Sequence, residues 1–291
     1  MALAVFALVV THNVAANNLT ERLPSLGSKP TLVDNCVVED QTVTTVWLPA
    51  HTATSAESLL ARWPAHPLAA FSGCLARRYY ASAEVLQCTE QGERKHMRCD
   101  LPLLPREVMQ RHIVFTEAKV ASASTRQIVL PLNAKLSVFA HEIGHWVGFA
   151  DEYAMSSQLA EKYCRGRYDH PSLNVVRTQE KELSAGQLQA LWQQLPWRDA
   201  VPDWRLLGQP MGNGLWRLGS AETTQVGLFP SQTCATVKGV YSWKPVAKLT
   251  AMEYHDVNVW PAVYLDTARQ LQGRRGLRDH DDRAEQGEKP H

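Results

Sequence analysis

Residues Ala134 to Tyr153 read AKLSVFAHEIGHWVGFADEY, and this stretch restricts the fold and chemistry of the chain more than any other. Within it stand His141, Glu142 and His145, then Gly148, then Asp151, Glu152 and Tyr153. Two histidines four apart on a helix lie one above the other on the same face. Imidazole nitrogens so placed can reach a single Zn²⁺ at about 2.0–2.1 Å. Glu142, between them, is then positioned as a general base toward a water activated by that ion. The competing reading is a surface helix carrying two solvated histidines.

The surrounding residues predict the helix itself. Asn133 is a candidate N-cap. Leu136, Phe139, Ala140, Ile143 and Val147 recur at helical spacing as one apolar stripe. At about 100° per residue, His141 and His145 point roughly opposite that stripe. Gly148 falls where a left-handed residue would end the helix and reverse the chain. That reversal brings Asp151 back toward the histidines, and a carboxylate oxygen is an ordinary third zinc ligand. The alternative has Asp151 hydrogen-bonding a ligand histidine while Glu152 or a later acid takes the metal.

The chain has 291 residues, of which 45% are hydrophobic, enough for one large domain or two small ones. The formal charge is only +1, without a basic stripe interleaved with aromatics, which argues against nucleic acid as a partner. The apolar run Ala2 to Val10 is too short to span a bilayer, which needs about 20 residues, so no transmembrane segment is expected. With Val14 and Ala16 at the cleavage positions, residues 1–16 read as an export signal lacking its positive n-region. Cys36, Cys74, Cys88, Cys99, Cys164 and Cys234 make an even set, as expected of an exported, oxidised protein. Cys88 and Cys99 bracket a polar loop and are the best candidates for a local disulfide. Cys36–Cys74 and Cys164–Cys234 would complete the set. Six reduced, buried thiols in a cytosolic protein are the alternative. A secreted or periplasmic location follows from the first reading.

The remaining elements are read from periodicity. Leu32–Val33 and Val43–Leu48 are β-prone. Ser55 to Arg62 predicts a short helix ended by Pro64, and Pro67 to Leu86 reads as mostly helical. His112–Glu117 and Gln127–Leu132 predict two strands joined by the polar turn Ser122 to Thr125. An exposed strand of that hairpin could bind an extended peptide by strand addition. Asn174–Arg177 suggests a short strand, Ser184–Leu195 a helix and Trp197–Trp216 a long loop region. Asn258 to Gln272 predicts a last helix, with Pro261 tolerated in its first turn. A mixed sheet with the His141 helix against it is an α+β arrangement. The expected organisation is an N-terminal part over residues 30–149 and a smaller, irregular C-terminal part over 150–273 ending in a helix. Residues 274–291 are charged and predict a disordered tail.

HEIGHWVGFAD resembles the elongated zinc-binding sequence of the metzincin metallopeptidases, with Asp151 where most members carry a third histidine. In that family a methionine sits in a tight turn beneath the metal, often followed two residues later by a tyrosine. Met252 and Tyr254 fit that pattern; an ordinary core methionine is the other reading of Met252. Together HEIGH, DEY, VGLF at 226–229, KGVY at 238–241 and the late Met252 resemble the IgA-peptidase-like bacterial metallopeptidases. Here the spacing from HExxH to DEY is one residue shorter, and Pro230-Ser231-Gln232 stands where that family carries Glu-Gly. A thermolysin-like arrangement would instead draw its acid from Glu161, Glu180 or Glu182, but it does not need the helix to stop at Gly148.

The resemblance implies a zincin-like catalytic domain and a single Zn²⁺ on His141, His145 and Asp151. It implies hydrolysis of peptide bonds in a protein or peptide substrate, with Glu142 as general base. Tyr254, or alternatively Tyr153, would stabilise the developing oxyanion. A zinc hydrolase of a non-peptide substrate and an inactive zinc-binding or adhesion module are the other classes. The second sits poorly with Glu142, because a structural site needs ligands and no base.

Overall fold

A computed structural model describes residues 31–32, 43–92, 95–167 and 172–273 of the protein. The segments 1–16 and 274–291, read above as export signal and tail, lie outside the described residues, as does Cys36. The fold is α+β. Its main sheet uses strands β1 (Thr31–Leu32), β2 (Val43–Pro49) and β3 (Cys74–Tyr80), and later β6 (Arg111–Thr116), β7 (Ser122–Ala123) and β8 (Gln127–Pro131). The hairpin β4 (Cys88–Gln91) and β5 (His96–Cys99) stands apart from it. The order across the main sheet is β1-β3-β2-β6-β8-β7. The four central strands run parallel, and both edge strands, β1 and β7, are antiparallel to their neighbours.

Two expectations about this sheet are corrected. The strands beginning near His112 and Gln127 do not form a hairpin: β6 and β8 pair in parallel, His112 opposite Gln127. The link between them supplies β7, which folds back on Val129 and Ile128 as the sheet edge. Strand addition along a free β6 or β8 is therefore ruled out, because each is paired on both sides. The reason was present in the residues. Ile113-Val114-Phe115 and Ile128-Val129-Leu130 are continuous apolar runs, each residue at most 1% exposed, and such runs mark strands buried on both faces. Ile113, Phe115, Ile128 and Leu130 face the main core, while Val114 and Val129 face a second cluster with Trp47, Tyr80, Leu86 and Cys99. The Cys88–Cys99 disulfide ties the β4–β5 hairpin that carries this second cluster.

The second correction is Pro67 to Leu86, expected to be mostly helical. Gly73 at φ +67° breaks the chain there, and Cys74–Tyr80 becomes β3, an interior strand between β1 and β2. Tertiary pairing overrides the local preference. The arginines of this strand are held laterally. Arg77 pairs with Glu57 at 2.9 Å, and Arg78 lies 4.8 Å over the Trp47 ring.

Arg78 also donates to both oxygens of buried Glu107, at 2.5 and 3.2 Å, and the Leu104 N–H donates to the same carboxylate at 2.8 Å. The Arg78 hydrogen bonds hold the Glu107 carboxyl below its ordinary value, against the opposing effect of burial. A carboxyl depressed in the folded state stabilises at pH above its unfolded value, about 4.3. That contribution disappears as pH falls through the lower, folded value. Glu107→Gln should therefore cost about 1.5–3 kcal/mol at neutral pH and flatten the fall of the thermal midpoint below about pH 4.3. Thermal melts from pH 7 to pH 2.5 check this; an acid limb as steep as wild type would contradict it.

On the core face of the sheet lie α1 (Thr54–Arg62) and α2 (Leu136–Val147). Phe139, Ala140 and Ile143 of α2 are fully buried. Phe139 stacks on Phe115 at 6.3 Å and meets Trp63 edge-on at 4.7 Å. Asn133 is not the cap. The chain turns over Leu132–Asn133 to leave β8, and the N-cap is extended Lys135, without a side-chain cap bond. Leaving a sheet and crossing back over its face uses up the residues between strand and helix.

The C-terminal half adds α3 (Ser157–Cys164), β9 (Val176–Thr178), β10 (Glu182–Ser184) and α4 (Ala185–Gln194). It continues through β11 (Gly208–Pro210), β12 (Leu215–Leu218), β13 (Phe229–Ser231) and β14 (Tyr241–Lys244). A last helix, α5, covers residues 262–273, just after Pro261. Ser184 caps α4 reciprocally with Gln187, as the Ser184–Leu195 pattern predicts. Trp197–Trp216 is not one long loop: β11 and the first half of β12 fall in it, and these strands form a three-stranded sheet with β10. A second small sheet, β13-β14-β9, packs near the Cys164–Cys234 disulfide. Cys74 is also disulfide-bonded. Disulfides of this kind point to an oxidising extracellular or periplasmic environment. No described helix is long and apolar enough to cross a membrane.

Candidate metal centre

Helix α2 ends at Gly148, φ +117°, whose N–H donates to the carbonyls of Gly144 and His145 at 3.2 and 3.1 Å. A side chain at Gly148 would be strained by that backbone and would press on Leu173 at 3.3 Å. The chain then doubles back. Asn174 fixes the return, accepting from the Ala150 N–H at 2.8 Å and donating to the Ala150 carbonyl at 2.9 Å. Thr233 holds the Asp151 carbonyl at 2.7 Å.

This return places a carboxylate oxygen against both histidines. Asp151 Oδ1 lies 3.1 Å from His141 Nε2 and 3.3 Å from His145 Nε2. One donor atom from each of the three residues lies within 4.8 Å of the others, a spacing that can hold one metal ion. The far side of each imidazole is fixed. His141 Nδ1 meets the Ala251 carbonyl at 2.8 Å and His145 Nδ1 the Phe149 carbonyl at 3.0 Å. A carbonyl accepts, so each Nδ1 carries a proton and each Nε2 is turned toward Asp151.

Two further features fit a cation at this point. Asp151 Oδ1 is buried without a hydrogen-bond partner of suitable geometry, and such an orphan acceptor is costly unless something positive meets it. The protonation balance agrees. Burial by itself would lower the His145 pKa, but the Asp151 carboxylate 3.3 Å away outweighs it and raises it to about 9, so a proton stands where a cation could. Burial would raise the Asp151 carboxyl, yet His145 and His141 hold it far below the carboxylate range. A divalent ion displacing that proton would meet two neutral imidazoles and one carboxylate, a set that suits Zn²⁺ and related ions.

Glu142 is buried beside the cluster without belonging to the donor set. Burial pushes its carboxyl up, with His145 and His141 opposing and Asp151 adding to the rise. Met252 is fully buried. It sits in a turn where Glu253 and Tyr254 N–H groups donate to the Thr250 carbonyl at 3.1 and 3.0 Å. The turn touches the site twice: the Ala251 carbonyl accepts a hydrogen bond from His141 Nδ1–H, and Met252 Sδ packs on Gly144. A Cβ on Gly144 would lie 2.8 Å from that sulfur and 3.1 Å from the Trp260 ring. Helical Gly144 thus lets helix and turn approach, a constraint hidden in the variable positions of HExxH.

Tyr254 is 56% exposed, its ring stacked on His255 at 5.7 Å. Tyr153 lies nearly parallel to the His141 ring at 6.3 Å. Glu152 is outside the donor set: its carboxylate contacts Lys244, Asn174, Thr250 and Tyr264. Glu161 is on the surface, paired with Arg165 at 3.1 Å. Glu182 pairs with Arg217 at 3.6 Å, and neither it nor Glu180 belongs to the donor set.

Sequence reasoning missed His255, whose ring lies 6.4 Å from that of His141. Asp256, 3.2 Å from His255 Nδ1, also binds Lys135 and Ser137 at the start of α2. No periodic pattern marks that residue as close to the site. No protein-family model matches the chain, and neither a curated protein nor a solved structure does.

Proposed function

We propose that the protein is a zinc-dependent endopeptidase of metzincin type, similar to the IgA-peptidase-like metallopeptidases and working outside the cytoplasm. The observation that carries this reading is the donor triad His141, His145 and Asp151 with a buried, non-ligating carboxylate, Glu142, on the same helix. A three-donor set leaves a position open, whereas structural zinc sites are usually closed by four protein ligands. The preference for peptides rests on the likeness of HEIGHWVGFAD, DEY and the Met252 turn to that family. Residues 30–149 and 150–273 would then be the two subdomains flanking the substrate cleft.

His141, His145 and Asp151 would hold the zinc ion, which when bound would supply Lewis acidity toward a carbonyl and lower the pKa of a water from about 15.7 to near 7. Glu142 accepts the proton of the attacking water and delivers it to the leaving amine. Burial raises its pKa above the ordinary carboxylate value, the direction that suits a group which must take up a proton before passing it on. His141 and His145 keep their orientation through the Ala251 and Phe149 carbonyls. Tyr254, exposed at the end of the Met252 turn, is our choice of hydroxyl for the developing oxyanion.

The reading is tested by incubating the zinc-loaded protein with casein and a mixed-sequence peptide library. We expect internal cleavage that a chelator abolishes and added Zn²⁺ restores. Hydrolysis of a simple ester without peptide cleavage would favour a non-peptide hydrolase. Tight zinc binding without any hydrolysis would favour a binding module.

A further inference from the structure

The proposed chemistry uses Asp151 and leaves its neighbour Glu152 without a role, although Glu152 is 0% exposed. A carboxylate removed from water in this way needs strong compensation. Asn174 Nδ2 donates to one oxygen at 2.8 Å, and the Tyr264 hydroxyl donates to the same oxygen. Thr250 Oγ1 donates to the other at 2.7 Å, with Lys244 Nζ at 3.3 Å. Lys244 is itself buried and also pairs with Glu253.

The backbone of the same residue is held as firmly. The Glu152 N–H donates to the Met252 carbonyl at 2.9 Å. Its own carbonyl accepts from the Gln232 N–H at 3.0 Å and from Ser231 Oγ at 3.2 Å. One residue therefore joins the Asn174 loop, β13, β14, the Met252 turn and α5. Two of these partners also touch the metal site. Asn174 fixes Ala150, next to Asp151, and the Thr250–Met252 turn carries the acceptor for His141.

We infer that Glu152 is a positioning residue, its carboxylate fixing the Asp151 donor and the His141-binding turn in one register. This inference rests on the metal-site reading above. Stability alone is a weak reason for such a cluster, because buried ion pairs often do no better than apolar residues of similar size. Placement explains it better. Asp151 sits on an irregular return outside any helix or strand, and a ligand there is only as well placed as the contacts on either side of it. All four side-chain partners are donors. A glutamine amide would turn an N–H₂ toward a donor, and aspartate would fall one methylene short.

The test measures Zn²⁺ affinity of the full chain by competition with a chromophoric chelator, together with the visible absorption of the Co²⁺ form. Glu152→Gln should bind Zn²⁺ about 10–100-fold more weakly, the range for partners that orient a ligand. The Co²⁺ bands should change as the Asp151 oxygen moves. Leu59→Ala, in the core beneath the sheet, should lower the thermal midpoint yet keep wild-type Zn²⁺ affinity. If Glu152→Gln does not fold, Tyr264→Phe removes a single donor and should weaken Zn²⁺ several-fold. A folded Glu152→Gln or Tyr264→Phe protein with wild-type affinity and an unchanged Co²⁺ spectrum would overturn the inference. Failure of the wild-type chain to bind Zn²⁺ would instead overturn the metal-site reading beneath it.

Discussion

Replacing Glu142 with glutamine is expected to lower the turnover of a peptide substrate by about 10²–10⁴-fold, the usual range for loss of a general acid–base. Metal affinity should stay close to wild type. The two halves of this result come from different features. Glu142 lies outside the donor set formed by His141, His145 and Asp151, so the amide leaves the ligands untouched. Glutamine has the same shape and hydrogen-bonding reach but no basic oxygen at neutral pH. The buried position also favours a folded variant, because a neutral amide is easier to keep out of water than the carboxylate it replaces. Turnover of a fluorogenic peptide, read with bound metal by atomic absorption, checks both halves. Activity within tenfold of wild type would remove Glu142 from the mechanism.

Asp151→Ala should have the largest effect on the metal. Partners that only orient a ligand change affinity by about 10–100-fold, so loss of a direct donor should exceed about 100-fold. Hydrolysis at fixed zinc should fall with it. The geometry makes the expectation specific, since Asp151 Oδ1 is the atom within 3.3 Å of both imidazole Nε2 atoms. Glu152, the nearest acid in sequence, is held by its own donors and is not free to substitute. Chelator competition with Zn²⁺ measures the loss, and Zn²⁺ content unchanged after dialysis would mean that another residue is the third ligand.

Much of the site was legible because its information is local. The spacing of His141 and His145 needs only the helical repeat to put both on one face. Gly148 marks a stop because only a residue without a Cβ accepts φ +117° easily. Cys88 and Cys99 bracket a short polar loop, and the Cys88–Cys99 and Cys164–Cys234 disulfides are both present. Other features were misread because local preference and pairing disagree. Cys74–Tyr80 has a helix-tolerant composition and becomes an interior strand by lying between β1 and β2. The runs at Ile113 and Ile128 carried the mark of two-sided burial, but the short link between them suggested a hairpin. Strand direction depends on where that link goes, which neither run encodes.

By itself the sequence determined the active-helix candidate, its stop at Gly148, the identity of three possible donors and the α+β class. Each follows from residue type and a separation of a few positions, where backbone geometry leaves little freedom. Tertiary structure decided the rest: which carboxylate of the Asp151–Glu152 pair faces the histidines, which carbonyls set their tautomers, and why Gly144 lies against Met252. These depend on contacts between residues about a hundred positions apart, such as His141 with Ala251 and Glu152 with Thr250. Two adjacent carboxylates are chemically almost alike. Only the surroundings that the folded chain brings to each one set Asp151 against the two histidines and Glu152 among four donors.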